Sequence, residues 1–185
     1  KAIELETDNS KNYNYRADFF SASIEDYDKA IADYKKVIEL NPVDNYAYFQ
    51  LGYIYSDKKF EDNNSATALT YYIKAAELAP EVAVTWYNIA LIYEDDIEDY
   101  ENALKYYNKA IEIDSTYFDS YSSIGLLYQY DIKDNDKALE YFNKVIELEP
   151  ENSLNYYYRG EFFEDNIKDY DKAIADYNKT IELDP

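Results

Sequence analysis

Ile24–Pro42, IEDYDKAIADYKKVIELNP, and Ile167–Pro185, IKDYDKAIADYNKTIELDP, are identical at 15 of 19 positions, differing at Glu25/Lys168, Lys35/Asn178, Val37/Thr180 and Asn41/Asp184. Looser copies stand between them: ALTYYIKAAELAP at 68–80, ALKYYNKAIEIDS at 103–115 and ALEYFNKVIELEP at 138–150. Recurrence at a fixed interval restricts a chain to an array in which each unit leans on its neighbours. Lys1–Thr7 (KAIELET) aligns with Lys36–Pro42, and later phrases close at Pro80, Ser115, Pro150 and Pro185, so the steps are 35, 38, 35, 35 and 35 residues. The register gives one array of five full units, at 8–42, 43–80, 81–115, 116–150 and 151–185, preceded at 1–7 by the end of a sixth. The longer step lies in the polar segment Asp57–Ser65, expected to be an extended turn.

Each unit reads as two helices. In the second, Tyr27, Ala30, Ile31, Tyr34, Val37 and Ile38 recur at three- and four-residue spacing and make one apolar stripe. Asp26, Asp99, Asp134 and Asp169 stand where a side-chain oxygen caps the first backbone N–H groups. Pro42, Pro80, Pro150 and Pro185 mark the stops. Lys/Glu pairs three residues apart, such as Lys36/Glu39 and Lys144/Glu147, predict modest surface ion pairs.

The first helix places a small residue between aromatics, as in Tyr48-Leu51-Gly52-Tyr55, Tyr121-Ile124-Gly125-Tyr128 and Tyr156-Arg159-Gly160-Phe163. All three glycines of the chain share this phase. Glycine is unfavourable inside a helix, so its placement there predicts a close helix–helix approach.

On these residues the chain resembles the tetratricopeptide repeat family along its whole length. Trp86, Ile89-Ala90, Tyr93, Ala103, Tyr107 and Ala110 follow the family pattern, as do Tyr48, Leu51-Gly52, Tyr55, Ala68, Tyr72, Ala75 and Pro80. There are departures. The family repeat is about 34 residues; four units here carry one more, assigned to Ile24, Ile97, Ile132 and Ile167 in the turn between the helices. Arg16 and Arg159 replace an apolar residue, Ser115 replaces the closing proline, Ser65 and Asn135 replace the turn tyrosine, and Ala17 stands for glycine. The resemblance implies an all-α fold, a right-handed α-solenoid (superhelix) of stacked antiparallel helix pairs. It also implies a non-catalytic protein–protein interaction scaffold.

Composition limits the chemistry. Asp and Glu outnumber Lys and Arg 39 to 18, for a formal charge of −21. Such a charge opposes nucleic acid and anionic membranes and favours basic partners. With neither His nor Cys, there is no imidazole base, thiol nucleophile or thiolate metal site, and no cofactor motif is present. No apolar run approaches a membrane span, so membrane insertion is not expected. The densest acidic stretch, Glu94–Glu101, has neither the glycine turn nor the ligand spacing of a calcium loop and reads as a solvated edge. Asn63-Asn64-Ser65 and Asn178-Lys179-Thr180 match a glycosylation acceptor, as chance alone would produce; the first falls in a predicted loop.

In the family, the groove is lined by residues of the first helix lying off the core stripe. By phase these are Tyr46, Phe49 and Tyr53, then Val84, Tyr87 and Leu91, then Leu126 and Tyr130, then Leu154 and Tyr157. The first unit has Lys11, Asn14, Asp18 and Ser21 there instead. These apolar positions either pack between neighbouring helices or form an exposed patch. As a patch, they would take a protein or peptide with aromatic or aliphatic anchors and basic flanks. Acids at Asp18, Asp57, Glu94, Asp95, Glu161 and Glu164 disfavour capture of a C-terminal carboxylate. The alternative function is a structural subunit, or a segment of a longer rod, assembling end to end. That reading expects Tyr177, Ile181 and Leu183 on the last helix to lie open, covered by further repeats or by another copy.

Overall fold

In the computed structural model, residues 9–57 and 64–185 are described, and among them every regular element is helical. The helices are α1 (Ser10–Ile24), α2 (Tyr27–Leu40), α3 (Asn45–Ser56), α4 (Ser65–Leu78) and α5 (Ala83–Asp95) in one compact unit. A second unit holds α6 (Tyr100–Ile113), α7 (Phe118–Leu127), α8 (Asn135–Leu148), α9 (Ser153–Phe162) and α10 (Tyr170–Leu183). In the first unit α1 and α2 form an antiparallel hairpin, as do α3 and α4, while α3 also packs on α2 and α5 on α4. In the second, α7 pairs with α8 and α9 with α10, and α7 and α9 pack on α6 and α8. The tail at 1–7, the interior of the long turn and Asn63 lie outside the described residues.

Sequence dictates these hairpins through three contacts. Asp26, Asp99, Asp134 and Asp169 accept backbone N–H groups of Lys29, Asn102, Lys137 and Lys172, the caps expected of them. The second helices then bury Tyr34, Tyr72, Tyr107 and Phe142 almost completely, each worth roughly 1.5–3 kcal/mol of apolar burial. Small residues make room for these rings. A β-carbon on Gly52 would lie 2.7 Å from the Tyr72 ring, and one on Gly125 3.0 Å from Phe142. Finally, an aromatic donor early in the first helix ties back to the carbonyl that closes the preceding repeat: Trp86 Nε1 to Pro80, Tyr121 to Ser115 and Tyr156 to Pro150.

Proline is not what ends the second helix. The α6 helix stops at Ile113, in register with the others, although Ser115 stands where they have proline. There Asp114 adopts an extended backbone and accepts both the N–H and the hydroxyl of Thr116, so a side chain supplies the stop.

The extra residue of the 35-residue repeats has a definite place. In the second unit it widens the last turn of the first helix into π-helical turns, Tyr128–Ile132 and Phe163–Ile167. Gln129 of one turn donates to Asn166 of the other at 2.9 Å. In all four repeats the residue after the added isoleucine is left-handed: Glu25 at φ 53°, Glu98 at 56°, Lys133 at 62° and Lys168 at 63°.

Arg16 and Arg159, which break the apolar pattern, are paired. Arg159 Nε and Nη2 grip Asp176 at 2.8 and 2.7 Å, and Arg16 grips Asp33 with the same two nitrogens. Both aspartates are 5% exposed. The three middle repeats have Leu51, Ile89 and Ile124 in the arginine phase and Tyr71, Tyr106 and Tyr141 in the aspartate phase. An apolar pair and a bidentate ion pair are thus interchangeable answers to the same packing position.

Candidate peptide-binding cleft

Helices α1, α2 and α3 enclose a cleft of about 440 Å³ whose lining includes Asp18, Glu25, Tyr27, Tyr34, Tyr46, Tyr53 and Asp57. Its geometry begins with Tyr34, whose ring is held in the core beside Ala17 and Ala30. The hydroxyl emerges into the cleft and donates to Asp18 Oδ1 at 2.6 Å. Tyr46 donates to the same oxygen at 2.8 Å, and Gln50 donates to the Tyr46 hydroxyl at 2.7 Å. The Tyr34 and Tyr46 rings meet edge to face, with centroids 6.4 Å apart. At the cleft edge Tyr27 donates to Asp57 at 2.8 Å.

These phenols are held neutral. Its hydrogen bond to Asp57, followed by partial burial, pushes Tyr27 up to about 12. Burial first, and the Asp18 contact second, raise Tyr34 well beyond the ordinary phenol range, and burial likewise raises Tyr46. The cleft therefore offers aromatic walls and three carboxylates, with no lysine or arginine among the described residues of its lining. Asp18 Oδ2 has no partner among the described residues. Such a surface suits an ammonium or guanidinium group carried on an aliphatic stem.

Of the ten groove positions read from the sequence, none is in the buried core. Tyr46 and Tyr53 are exposed and line this cleft, while Phe49 is half-buried with its ring 5.4 Å from Tyr72. Val84, Tyr87 and Leu91, on α5, are half-buried. In the second unit Leu126 is half-buried, whereas Tyr130, Leu154 and Tyr157 are exposed. Tyr157 lies 6.1 Å from the Tyr177 ring, and Tyr177 donates to Glu164 at 2.7 Å. The second unit thus repeats the pairing of tyrosines with carboxylates, with Glu161 raising the Tyr157 phenol by hydrogen bonding.

Sequence reasoning missed the contributions of Tyr27, Tyr34 and Gln50. It read Tyr34 as part of the core stripe, which is true of the ring, and the acceptor that its hydroxyl meets was not legible. The available signal was Asp18 itself, an acid in a phase that holds Tyr53, Leu91 and Leu126 in the next three repeats. Two cavities lie elsewhere, at equivalent positions of the two units. One of about 460 Å³ includes Tyr48, Tyr71 and Lys74, and one of about 480 Å³ includes Tyr121, Tyr141 and Lys144. Each is lined by the salt-bridged Lys/Glu pair of its second helix, whereas the described lining of the α1–α3 cleft carries carboxylates and no such pair.

Among the described residues there is no cluster of three or more metal-ligating side chains, and no helix is long and apolar enough to cross a membrane. Tetratricopeptide repeat family profiles match residues 22–59, 81–151 and 127–185. The crystal structure of MamA protein is similar at a TM-score of 0.77 with 25% identity, covering 94% of this chain and 91% of that one. YrrB, described as a TPR protein with an unusual peptide-binding site, is similar at 0.71 with 24% identity, covering 100% and 91%. The pilF protein of Pseudomonas aeruginosa is similar at 0.78 with 16% identity, covering 100% and 80%. The last two likenesses establish fold alone. No curated protein matches the sequence significantly.

Proposed function

This chain belongs to the tetratricopeptide repeat family, and from that premise we propose that it is a non-catalytic scaffold that binds a protein or peptide segment on the exposed face of its first helices. The observation that carries the reading is the α1–α3 cleft, where Tyr46 and Tyr53 stand exposed beside Asp18, Glu25 and Asp57, with no basic side chain among the described residues of the lining. The segment it fits has a lysine or arginine flanked by an aromatic or aliphatic anchor. The cation meets the carboxylates, and its stem and the neighbouring anchor cover the tyrosine rings. In the second unit Tyr130, Leu154 and Tyr157, flanked by Glu161 and Glu164, offer a surface of the same chemistry.

An array of short peptides with basic and aromatic residues in varied spacing tests this reading. Binding is expected to select peptides with a cation adjoining an anchor, and Tyr46→Ala, Tyr53→Ala and Asp18→Asn should each weaken it by about 1–2 kcal/mol. Rising salt should weaken it further, since the charges are exposed. Circular dichroism should stay unchanged, because all three side chains lie outside the core. Equal binding of acidic and basic peptides, or loss of helicity in place of lost binding, would remove the cleft from consideration.

A further inference from the structure

Two aspartates of the chain each hold an arginine with both oxygens, and they define what such a pair needs. Arg159 Nε and Nη2 donate to separate oxygens of Asp176, and Arg16 Nε and Nη2 do the same to Asp33. The guanidinium fork is planar and rigid, so it reaches full strength only where both carboxylate oxygens have a lone pair turned towards it.

Asp18 is arranged differently. Its Oδ1 accepts from the Tyr34 hydroxyl at 2.6 Å and from the Tyr46 hydroxyl at 2.8 Å, which occupies both lone pairs of that oxygen. Neither donor is free to turn away. The Tyr34 ring is 1% exposed and fixed beside Ala17, Ala30 and Val37. The Tyr46 hydroxyl is itself held by Gln50 Nε2 at 2.7 Å. Only Oδ2 of Asp18 is left to a ligand. At the cleft edge the Tyr27 hydroxyl takes one oxygen of Asp57 as well. The double hold on Asp18 is not a by-product of the repeat. In the last repeat Glu161 stands in the Asp18 phase and Tyr177 in the Tyr34 phase, yet Tyr177 donates to Glu164 and Tyr157 to Glu161.

A guanidinium entering the cleft therefore meets one open oxygen of Asp18. One N–H of its fork lands on Oδ2, while the other points at an oxygen that already holds two donors. An ammonium loses nothing there. It is a compact charge whose three N–H groups rotate, one to Oδ2 and the rest to water. Its four-carbon stem has the exposed rings of Tyr46 and Tyr53 to lie along.

We propose that the α1–α3 cleft is a lysine site: it takes the ammonium of a lysine side chain in preference to the guanidinium of an arginine, and the Tyr34 and Tyr46 hydroxyls set that preference by closing Asp18 Oδ1. The proposal rests on the reading of this cleft as the place where a cationic segment binds, and narrows that segment to one of the two cations. Tyr34 acts as a positioning residue, through Asp18.

Titration calorimetry of the 185-residue chain with matched peptides tests it. The peptides are N-acetylated, so that no α-amine competes, and carry an aromatic anchor beside lysine, arginine or acetyl-lysine. The lysine peptide is expected to bind about five- to tenfold more tightly than the arginine peptide, the worth of one charged hydrogen bond left unmade, and acetyl-lysine not measurably. In Tyr34→Phe and in Tyr46→Phe a lone pair of Oδ1 reopens, and the preference should vanish or reverse. Loss of a phenol also makes Asp18 a stronger acceptor, but for both cations alike, so the ratio of the two affinities isolates the effect. Tyr34→Phe keeps the core ring and Tyr46→Phe lies at the surface; either carries the test if the other loses helicity. An arginine peptide bound by the native chain as tightly as lysine or more so, or a ratio unmoved in the phenylalanine variants, would overturn the proposal and leave the cation-binding reading standing. Binding of neither cation, or of acetyl-lysine as tightly as lysine, would overturn both.

Discussion

Gly52 is where one atom decides between two opposing effects. An alanine there would gain about 1 kcal/mol of helix propensity. Its β-carbon would sit 2.7 Å from a Tyr72 ring that is fully buried and whose hydroxyl is 3.3 Å from Ser56, so the ring has little freedom to withdraw. Overpacking of this kind costs about 1–3 kcal/mol. Gly52→Ala is therefore expected to lower stability by about 1–2 kcal/mol in urea unfolding, while Gly125→Ala, 3.0 Å from the Phe142 ring, should cost less. The ion pair of the last repeat is a second single-residue test. Asp176→Ala leaves a partly buried arginine without its carboxylate and should cost about 2–3 kcal/mol. Arg159→Ile with Asp176→Tyr, the combination that Ile124 and Tyr141 supply one repeat earlier, should fall within about 1 kcal/mol of the native chain.

Among the elements, the helices were the most legible part of the sequence, because capping aspartates and apolar stripes repeat in phase. The one-residue excess of four repeats was also legible, since Ile24, Ile97, Ile132 and Ile167 break the alignment at one point. Its form was not. An extra residue is absorbed equally by a loop or by a wider helical turn, and hydrogen bonding of Gln129 to Asn166 is visible only in three dimensions. Likewise, Arg16 and Arg159 stood out as departures, but their aspartates lie 17 residues further on, on another helix, and look like ordinary surface acids. In the candidate cleft, phase placed Tyr46 and Tyr53 off the core stripe, whereas the bond from the Tyr34 hydroxyl to Asp18 is visible only in three dimensions. The left-handed residues give the element-scale prediction. Lys133→Gly and Lys168→Gly remove a β-carbon from a conformation that L-residues adopt at a cost of about 1–2 kcal/mol. After the entropy of the unfolded glycine is counted, each should stabilise the chain by about 0.5–1 kcal/mol.

Across the whole molecule, charge and tyrosine dominate the response to solution conditions. A net charge of −21 makes repulsion general, and added sodium chloride should raise the melting temperature. Alkali should act in the opposite direction. Tyr27 rises from the ordinary 10.0 to about 12, and Tyr34 is raised as well, so the folded chain retains phenolic protons that the unfolded chain releases. Their contribution is complete below pH 10 and is lost as the pH climbs through 12; melting temperatures should fall across that window, less steeply in Tyr27→Phe. The central claim, that the tyrosine- and acid-lined cleft is where a basic, aromatic-anchored segment binds, is tested most directly by NMR of the tyrosine rings. Titrating the tightest peptide from the array should shift the rings of Tyr46 and Tyr53 and leave the core rings of Tyr72 and Tyr107 in place. Shifts confined to Tyr71 and Tyr141, or none at Tyr46 and Tyr53 under saturating peptide, would contradict it.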